Sequence, residues 1–286
     1  MSGCDYVRLL KLNIVGPLLL VAWAAAVVAG SAVPAWDRLL LLAAAGGLSS
    51  AGASVLNHYG DRRLDVLMDR TKARPLAASK VRASAVLGLG LALVALSIPF
   101  SLWLGPLVAA CTLAGAFVYV VIYTLWLKPY SPLSVVVGGL AGSFAALSGW
   151  FSTNAPLSWT AAIVAALVFL WTPAHFWSFA IVHHRDYQRA GIPTLAVVAG
   201  TKGAATCILL TSVLLALVSF LLYLLNAFGS VYLIGTVFLA GAYLVSNFQL
   251  WRTPKQERAW ISYKLSGVFL LGIFIAMMLD VLLARM

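Results

Sequence analysis

Nine runs of apolar residues, at 12–32, 39–56, 81–103, 107–127, 133–151, 159–182, 204–225, 231–250 and 262–283, lie between the charges, prolines and polar clusters of this chain. Each is close to the ~20 residues that a helix needs to cross a bilayer. Inside hydrocarbon every backbone N–H and C=O must be satisfied internally, which leaves only helices and closed barrels. Barrel strands alternate in polarity over about 10 residues, whereas these runs are continuously apolar. The expected fold is therefore all-α, a polytopic integral membrane protein of nine transmembrane helices. Composition agrees: 63% of residues are hydrophobic and 9% charged, against roughly a quarter charged in a soluble domain. A soluble globular fold and intrinsic disorder are both excluded. Cys4, Cys111 and Cys207 have no paired spacing and read as inert fillers, giving neither a disulfide framework nor a zinc module.

The net charge of +11 would point to nucleic acid in a soluble protein, but here the basic residues sit between membrane-length runs, so no nucleic-acid partner is expected. With the N-terminus inside, seventeen lysines and arginines fall in inner segments and only Arg38 and Arg285 fall outside. Miscounting one span would scatter the basic residues over both sides, so the asymmetry supports nine spans, a cytoplasmic N-terminus and an outer C-terminus in the cell (plasma) membrane. The first run is long enough to span and is not closed by a small-residue cleavage pattern, so no cleavable signal is expected. Acidic residues follow both the second and the sixth runs, four helices apart, which suggests two related halves facing each other within a single membrane-embedded domain over residues 1–286.

The most informative stretch leaves the inner end of the second run: Asn57, Asp61, Asp65 and Asp69 are spaced four residues apart, with Arg62, Arg70, Lys72 and Arg74 among them. On a continuous helix the four would stack along one drifting face. Hard oxygen ligands in that array suit Mg²⁺, which binds one or two carboxylates together with substrate phosphates. Arginine is the residue that grips phosphate through two parallel hydrogen bonds. An ordinary basic inner loop explains the arginines by topology alone. It does not explain the four-residue spacing, nor the amide of Asn57 at the membrane end of the same face.

The second constellation covers the sixth run and its inner loop, from Trp171 through Pro173, His175, Phe176 and Trp177 to His183, His184, Arg185, Asp186 and Tyr187. An ionisable side chain such as His175 inside an apolar helix is costly and is a functional candidate by default; the alternative is a structural histidine bonded between helices. Pro173 is expected to bend the helix. Asp186 would face the first acidic cluster if the second and sixth helices are neighbours. After the fourth run, Lys128 stands on an otherwise uncharged inner turn and could hold a phosphate as a point charge. Tyr123, Trp126, Phe176 and Trp177 could line an apolar tunnel and stabilise a carbocation through their ring faces, although aromatics at membrane ends are more often interfacial anchors.

These stretches resemble the protohaem IX farnesyltransferases (haem O synthases), a branch of the UbiA-type intramembrane prenyltransferases. The match rests on Asn57 to Asp65, Arg70-Thr71-Lys72-Ala73-Arg74-Pro75, Tyr123 to Lys128, Gly138 to Trp150 and Trp171 to Pro193, and is weaker over the last three runs. The sequence departs from the pattern at Arg63, at Ala174, at Ala145-Ala146 and at Arg185, which leaves Asp186 as the only carboxylate of its loop. The resemblance implies a nine-helix bundle with a lateral opening to lipid. It implies a metal site of Asn57, Asp61, Asp65 and Asp186; Asp61, Asp65 and Asp186, together with His175 outside that site, are the catalytic residues. Arg70, Arg74 and Lys128 are the implied diphosphate contacts, to which Arg62, Tyr123 and Trp177 are added as substrate contacts by their own chemistry, with His175 near the haem as ligand or proton-transfer group.

The activity implied is Mg²⁺-dependent farnesyl transfer from farnesyl diphosphate to the vinyl group of haem B, giving haem O. Haem is then a substrate, and membrane lipid, haem A synthase and terminal-oxidase assembly proteins are the expected neighbours. Three other readings compete. One is a UbiA-type enzyme with a quinone-precursor or lipid acceptor, and another is a non-catalytic assembly factor. The third is a transporter or channel, which the clustering of ionisable residues at one membrane face disfavours.

Overall fold

The computed structural model describes residues 3–284; Arg285 lies outside them, as does the side chain of Cys4. Among the described residues nine helices are long and apolar enough to span a bilayer. They are α1 (Leu12–Gly30), α2 (Trp36–Asp65), α3 (Ala83–Leu104), α4 (Pro106–Leu127), α5 (Ser134–Phe151), α6 (Trp159–Val182), α7 (Gly200–Leu224), α8 (Ser230–Arg252) and α9 (Gln256–Leu283). Short helices at Gly3–Leu9, His184–Arg189 and Leu195–Val198, unmarked by any apolar run, connect or flank them.

Local chemistry sets the breaks. Gly105 alone separates α3 from α4, at φ 142 where a side chain would be strained, and Pro106 follows at the first helical position with its φ already set. Ser158 starts α6 by accepting the Ala161 N–H at 3.2 Å. The helices outrun their apolar cores at the charge-rich end of the bundle: α2 continues from the apolar run to Asp65, and α9 begins at Gln256. Polar residues remain helical there because the ladder satisfies the backbone while their side chains find partners. The C-terminal half of α4, Val118–Leu127, is a π-helix, a rare wide geometry that recurs at functional sites.

Hydrophobicity cannot drive helices together in lipid, so close packing of small residues does. The inward face of α1 is built from Ala22, Ala24, Ala25 and Ala26 with Val21, Val27 and Val28. It packs against α5, α9 and α2, while α2 packs on α3 and α4, and α6 packs on α7, α9 and α5. The closest approach is at Gly149 of α5, where an added Cβ would lie 1.9 Å from the Ala22 carbonyl oxygen. Six helices (α1, α2, α4, α5, α6 and α9) enclose a cavity of about 370 Å³, and α3, α7 and α8 stand outside it. Large apolar side chains such as Trp103, Leu217 and Phe238 point outward, toward lipid.

The two ends of the bundle differ. At one end Lys11, the end of α2, Lys128 and Asp186 converge; at the other, Arg38 donates to the Ser152 carbonyl at 2.6 Å and Asp280 caps the start of α8. Gly149→Val should lower the melting temperature of the detergent-solubilised protein by the equivalent of about 1–3 kcal/mol, because the obstructing atoms are backbone. Gly88→Ala, whose Cβ would meet nothing within 4 Å, should leave it unchanged or slightly raised.

Candidate active site

One face of α2 carries Ala53, Asn57, Asp61 and Asp65, one turn apart. Asn57 is 3% exposed, Asp61 2% and Asp65 1%. Carboxylates so far from water need paired cations, and each cation arrives from a different part of the chain. Lys128, just past α4, donates to Asp61 Oδ2 at 2.6 Å. Arg74, from the loop after α2, donates through Nη1 to both oxygens of Asp65 at 2.9 and 3.0 Å. Asn57 links them: its Nδ2 donates to Asp61 Oδ2 at 3.0 Å and to Thr124 Oγ1 at 2.9 Å, and its Oδ1 accepts from Lys11 Nζ at 2.5 Å. Asp61 Oδ1 is buried and has no partner.

The π-helix helps explain how α4 reaches this face. Thr124 donates its hydroxyl to the Tyr119 carbonyl at 2.8 Å, five residues back, and the Lys128 N–H donates to the Tyr123 carbonyl at 2.9 Å. The wider turn thus brings Thr124 against Asn57 and Lys128 against Asp61. Lys11 lies at φ 50, ψ 54, a left-handed conformation that costs a non-glycine residue of order 1–3 kcal/mol. Burial, helped by the charge of Arg74, pulls the Lys11 ammonium from 10.5 to about 7.

The loop of residues 66–82 folds back over the end of α2. The Thr71 hydroxyl donates to the Asp65 carbonyl at 2.9 Å, satisfying one acceptor of the helix end. Asp186 holds the loop from the far side, accepting the N–H of Asp69 at 3.1 Å and of Arg70 at 3.2 Å. Arg70 donates to Tyr187 Oη at 2.9 Å, its guanidinium 5.0 and 5.2 Å from the Tyr187 and Phe179 ring centroids, and leaves a buried Nε unpartnered. Burial pushes the Tyr187 phenol up to about 12.

Several sequence expectations change in detail. Asp69 does not extend the stacked face: α2 ends at Asp65, and Asp69 is exposed, paired with Lys72 and Arg189, each at 2.7 Å. Hydrogen bonds from Lys72 and Arg189 hold its carboxyl down at about 2. Asp186 meets the loop after α2 rather than the helix itself. Arg62 turns away, its Nη1 donating to the Tyr59 carbonyl at 2.6 Å and its guanidinium 4.1 Å from the Tyr59 ring centroid. Tyr123 stacks on Tyr119 at 5.7 Å, but it is Tyr119 that lines the cavity. Trp177 lies in the packed core, 6% exposed, and is absent from the cavity wall, since it is two residues from His175 and so on another side of α6.

Residues the sequence did not single out are Lys11, Thr124, Tyr119 and Thr71. Lys11 offered one signal, as the last residue before the first apolar run, but topology alone accounts for a lysine there.

The cavity continues the polar face into the membrane. Gly46, Ser49, Ser50, Ala53 and Ser54 of α2 line it just above Asn57, and Trp171, His175 and Tyr263 close its far wall. No Asp, Glu, Lys or Arg is among the lining residues. Its size falls in the range of small-molecule sites, about 300–1,000 Å³. The arrangement can therefore hold a strongly anionic head among Lys11, Arg70, Arg74 and Lys128 and an apolar tail beside it. Among the described residues no group of three or more His, Cys, Asp or Glu could hold a metal alone. Two carboxylates, one amide and the unpartnered Asp61 oxygen nevertheless fit Mg²⁺, which takes few protein ligands and completes its shell with phosphate and water.

Known proteins agree with this architecture. The chain is 40% identical over 246 residues to protoheme IX farnesyltransferase 1 of Cenarchaeum symbiosum (strain A), covering 86% of this chain and 82% of that one. It is 39% identical over 279 residues to the protoheme IX farnesyltransferase of Synechococcus sp. (strain JA-3-3Ab), covering 96% and 84%. A UbiA homolog from Archaeoglobus fulgidus, solved bound to DMAPP and Mg²⁺, shares the fold with a TM-score of 0.73 at 16% identity, over 96% of this chain and 99% of that one. The sequence model of the UbiA prenyltransferase family matches residues 18–276, and the chain belongs to that family.

Proposed function

We propose that this protein is an intramembrane prenyltransferase that moves a farnesyl group from farnesyl diphosphate to the vinyl group of haem B, giving haem O. The observation that carries the reading is the continuity along α2 between a cationic, carboxylate-bearing end and an apolar cavity with His175 in its wall. The names of the relatives at 40% and 39% identity supply the acceptor.

The diphosphate lies at the charged end. Lys128 and Arg74 pair with the two buried carboxylates, Lys11 joins them through Asn57, and Arg70 stands on Tyr187 next to the same loop, so the charged end has basic groups available to an anion. Lys128 and Arg74, held by Asp61 and Asp65 in the free protein, are pre-oriented to share their hydrogen bonds with phosphate oxygens. Mg²⁺ bound by Asn57, Asp61 and Asp65, with Asp186 contributing from across the loop through its remaining lone pairs, would neutralise charge growing on the leaving group. Fixed donors at such a position are usually worth several kcal/mol.

The bond between C1 and the diphosphate oxygen breaks with its electron pair leaving on the diphosphate. The vinyl π pair of haem B forms the new carbon–carbon bond to C1, water adds to the resulting cation, and one proton is released. The cavity keeps bulk water away from the allylic cation, and the ring faces of Tyr119 and Trp171 are placed to stabilise it. Polar groups at the opposite end are spent on the fold, Arg38 on the Ser152 carbonyl and Asp280 on the N–H groups of Gly229 and Tyr232, which disfavours a transmembrane pathway. The whole chain acts as one multi-pass domain of the plasma membrane, its charged end and N-terminus cytoplasmic and its C-terminus outside, with haem A synthase or oxidase assembly proteins receiving the product.

Purified protein given haem B, farnesyl diphosphate and Mg²⁺ should form haem O, detected by mass spectrometry, and a chelator should abolish it. Diphosphate release with an aromatic acceptor but no haem product would shift the assignment to another UbiA-type acceptor. Asp65→Asn and Asp61→Asn should reduce turnover by at least about 100-fold, whereas Asp69→Asn, which removes only exposed pairs, should stay within about 3-fold of wild type. Lys128→Met should destabilise the fold by about 3–5 kcal/mol by stranding Asp61, and adding Asp61→Asn should recover part of that loss.

A further inference from the structure

His175 is held more tightly than a residue merely filling a cavity wall. The Trp171 ring lies 4.3 Å from its centroid at an interplanar angle of 25°, and the Tyr263 ring lies 4.4 Å away at 30°. Two near-parallel rings so close to a third cannot share one face, so both faces of the imidazole are covered and only its edge meets the cavity. Nδ1 is 2.5 Å from the Oγ of Ser266, which is buried and not part of the cavity wall, and Nε2 makes no hydrogen bond among the described residues.

Ser266 decides which nitrogen carries the proton. Its hydroxyl lies 2.6 Å from the Tyr263 carbonyl oxygen, which can only accept, so the single hydroxyl proton is committed there. Toward His175 the same oxygen can then only accept, which requires Nδ1–H. The backbone of Ser266 is fixed in turn by Trp171, whose Nε1 donates to the Ser266 carbonyl at 2.7 Å. In neutral imidazole the other nitrogen, Nε2, keeps its lone pair.

The geometry points to Ser266 as a positioning residue that locks His175 as the Nδ1–H tautomer, so that Nε2 serves as an axial ligand to the iron of the tetrapyrrole acceptor. Metal-binding histidines characteristically donate their second ring N–H to a fixed acceptor in this way, and imidazole is an ordinary axial ligand of haem iron. The lining of the cavity favours ligation over proton transfer. It contains no carboxylate, so the protein offers an imidazolium formed there no counter-ion of its own, whereas coordination through a neutral lone pair requires none.

This inference rests on the haem reading of the acceptor, and the test separates the two. The full chain in detergent micelles is titrated with haem B and followed by absorption and, in the ferrous state, by resonance Raman at the iron–nitrogen stretch, with haem O formation assayed in parallel. Wild type should show imidazole ligation. Ser266→Ala should weaken haem binding about 10- to 100-fold and lower the stretching frequency, because the imidazole loses the acceptor that makes it a stronger donor. Ser266→Thr, which keeps the hydroxyl, should restore both. His175→Ala should lose the ligation signature, and free imidazole should return it, which reports on the ligand even if Ser266→Ala folds poorly. A wild-type spectrum in His175→Ala, or a wild-type affinity and stretch in Ser266→Ala, would overturn the inference while haem O formation left the transfer reading standing. A wild-type chain that neither binds haem nor forms haem O would overturn both.

Discussion

Taking a carboxylate out of water is tolerable only if a cation comes with it, and α2 buries two. Asp61 and Asp65 are both almost wholly buried at the membrane end of the helix. An unpaired ion there would cost several kcal/mol even after relaxation. The partners come from elsewhere in sequence, Lys128 from beyond α4 and Arg74 from the loop after α2, with Lys11 joined through Asn57. Electrostatic satisfaction therefore ties four separate stretches of chain into one end of the bundle. Such pairs contribute little net stability against an apolar core of the same volume. Their worth lies in placing several cations and two carboxylates within reach of one ligand before it arrives.

The same helix joins two environments that would otherwise exclude each other. A period of four along α2 places Ala53 one turn above Asn57, so small residues line the cavity where the carboxylates end. Small residues there leave room for a bulky apolar ligand, and the polar residues below keep its head at the interface. The π-helix of α4 serves the junction from the other side, since an α-helical register would not place the Thr124 hydroxyl back on Tyr119 and forward on Asn57 at once. Reaction at the boundary then needs no movement of charge into the hydrocarbon. The charged groups stay at one end of α2, and the cavity beside them is lined without Asp, Glu, Lys or Arg.

Much of this was legible in the sequence, and the parts that were not share a physical cause. The nine spans followed from apolar length, because lipid forces backbone satisfaction within each segment. Asn57, Asp61 and Asp65 were visible through helical spacing, which holds as long as the helix does. Asp69 fits the same spacing but lies beyond the helix end, where Thr71 caps Asp65 and the loop reverses. Periodicity cannot register a terminus that depends on a side chain six residues ahead. Arg62 and Trp177 have the right chemistry in the right stretch, and their placement turned on rotation about a helix axis that only the packing reveals. Lys11 was hidden by redundancy, because the positive-inside rule already accounts for a lysine before the first span.

The asymmetry of the bundle gives the site its direction. Arg38 and Asp280, at the far end, have their side-chain bonds directed to carbonyl and N–H groups that helix ends leave open. Those two charges hold helix ends together. At the near end, by contrast, Arg70 Nε and Asp61 Oδ1 remain buried without partners. A folded protein tolerates unpaired polar atoms of this kind at a cost of about 1–3 kcal/mol each. One is a donor and the other an acceptor, and both lie at the charged end of the bundle. Unspent hydrogen-bonding capacity of both signs, on rigid elements and beside a cavity without charged lining residues, is the capacity that the proposed metal–diphosphate pair would use.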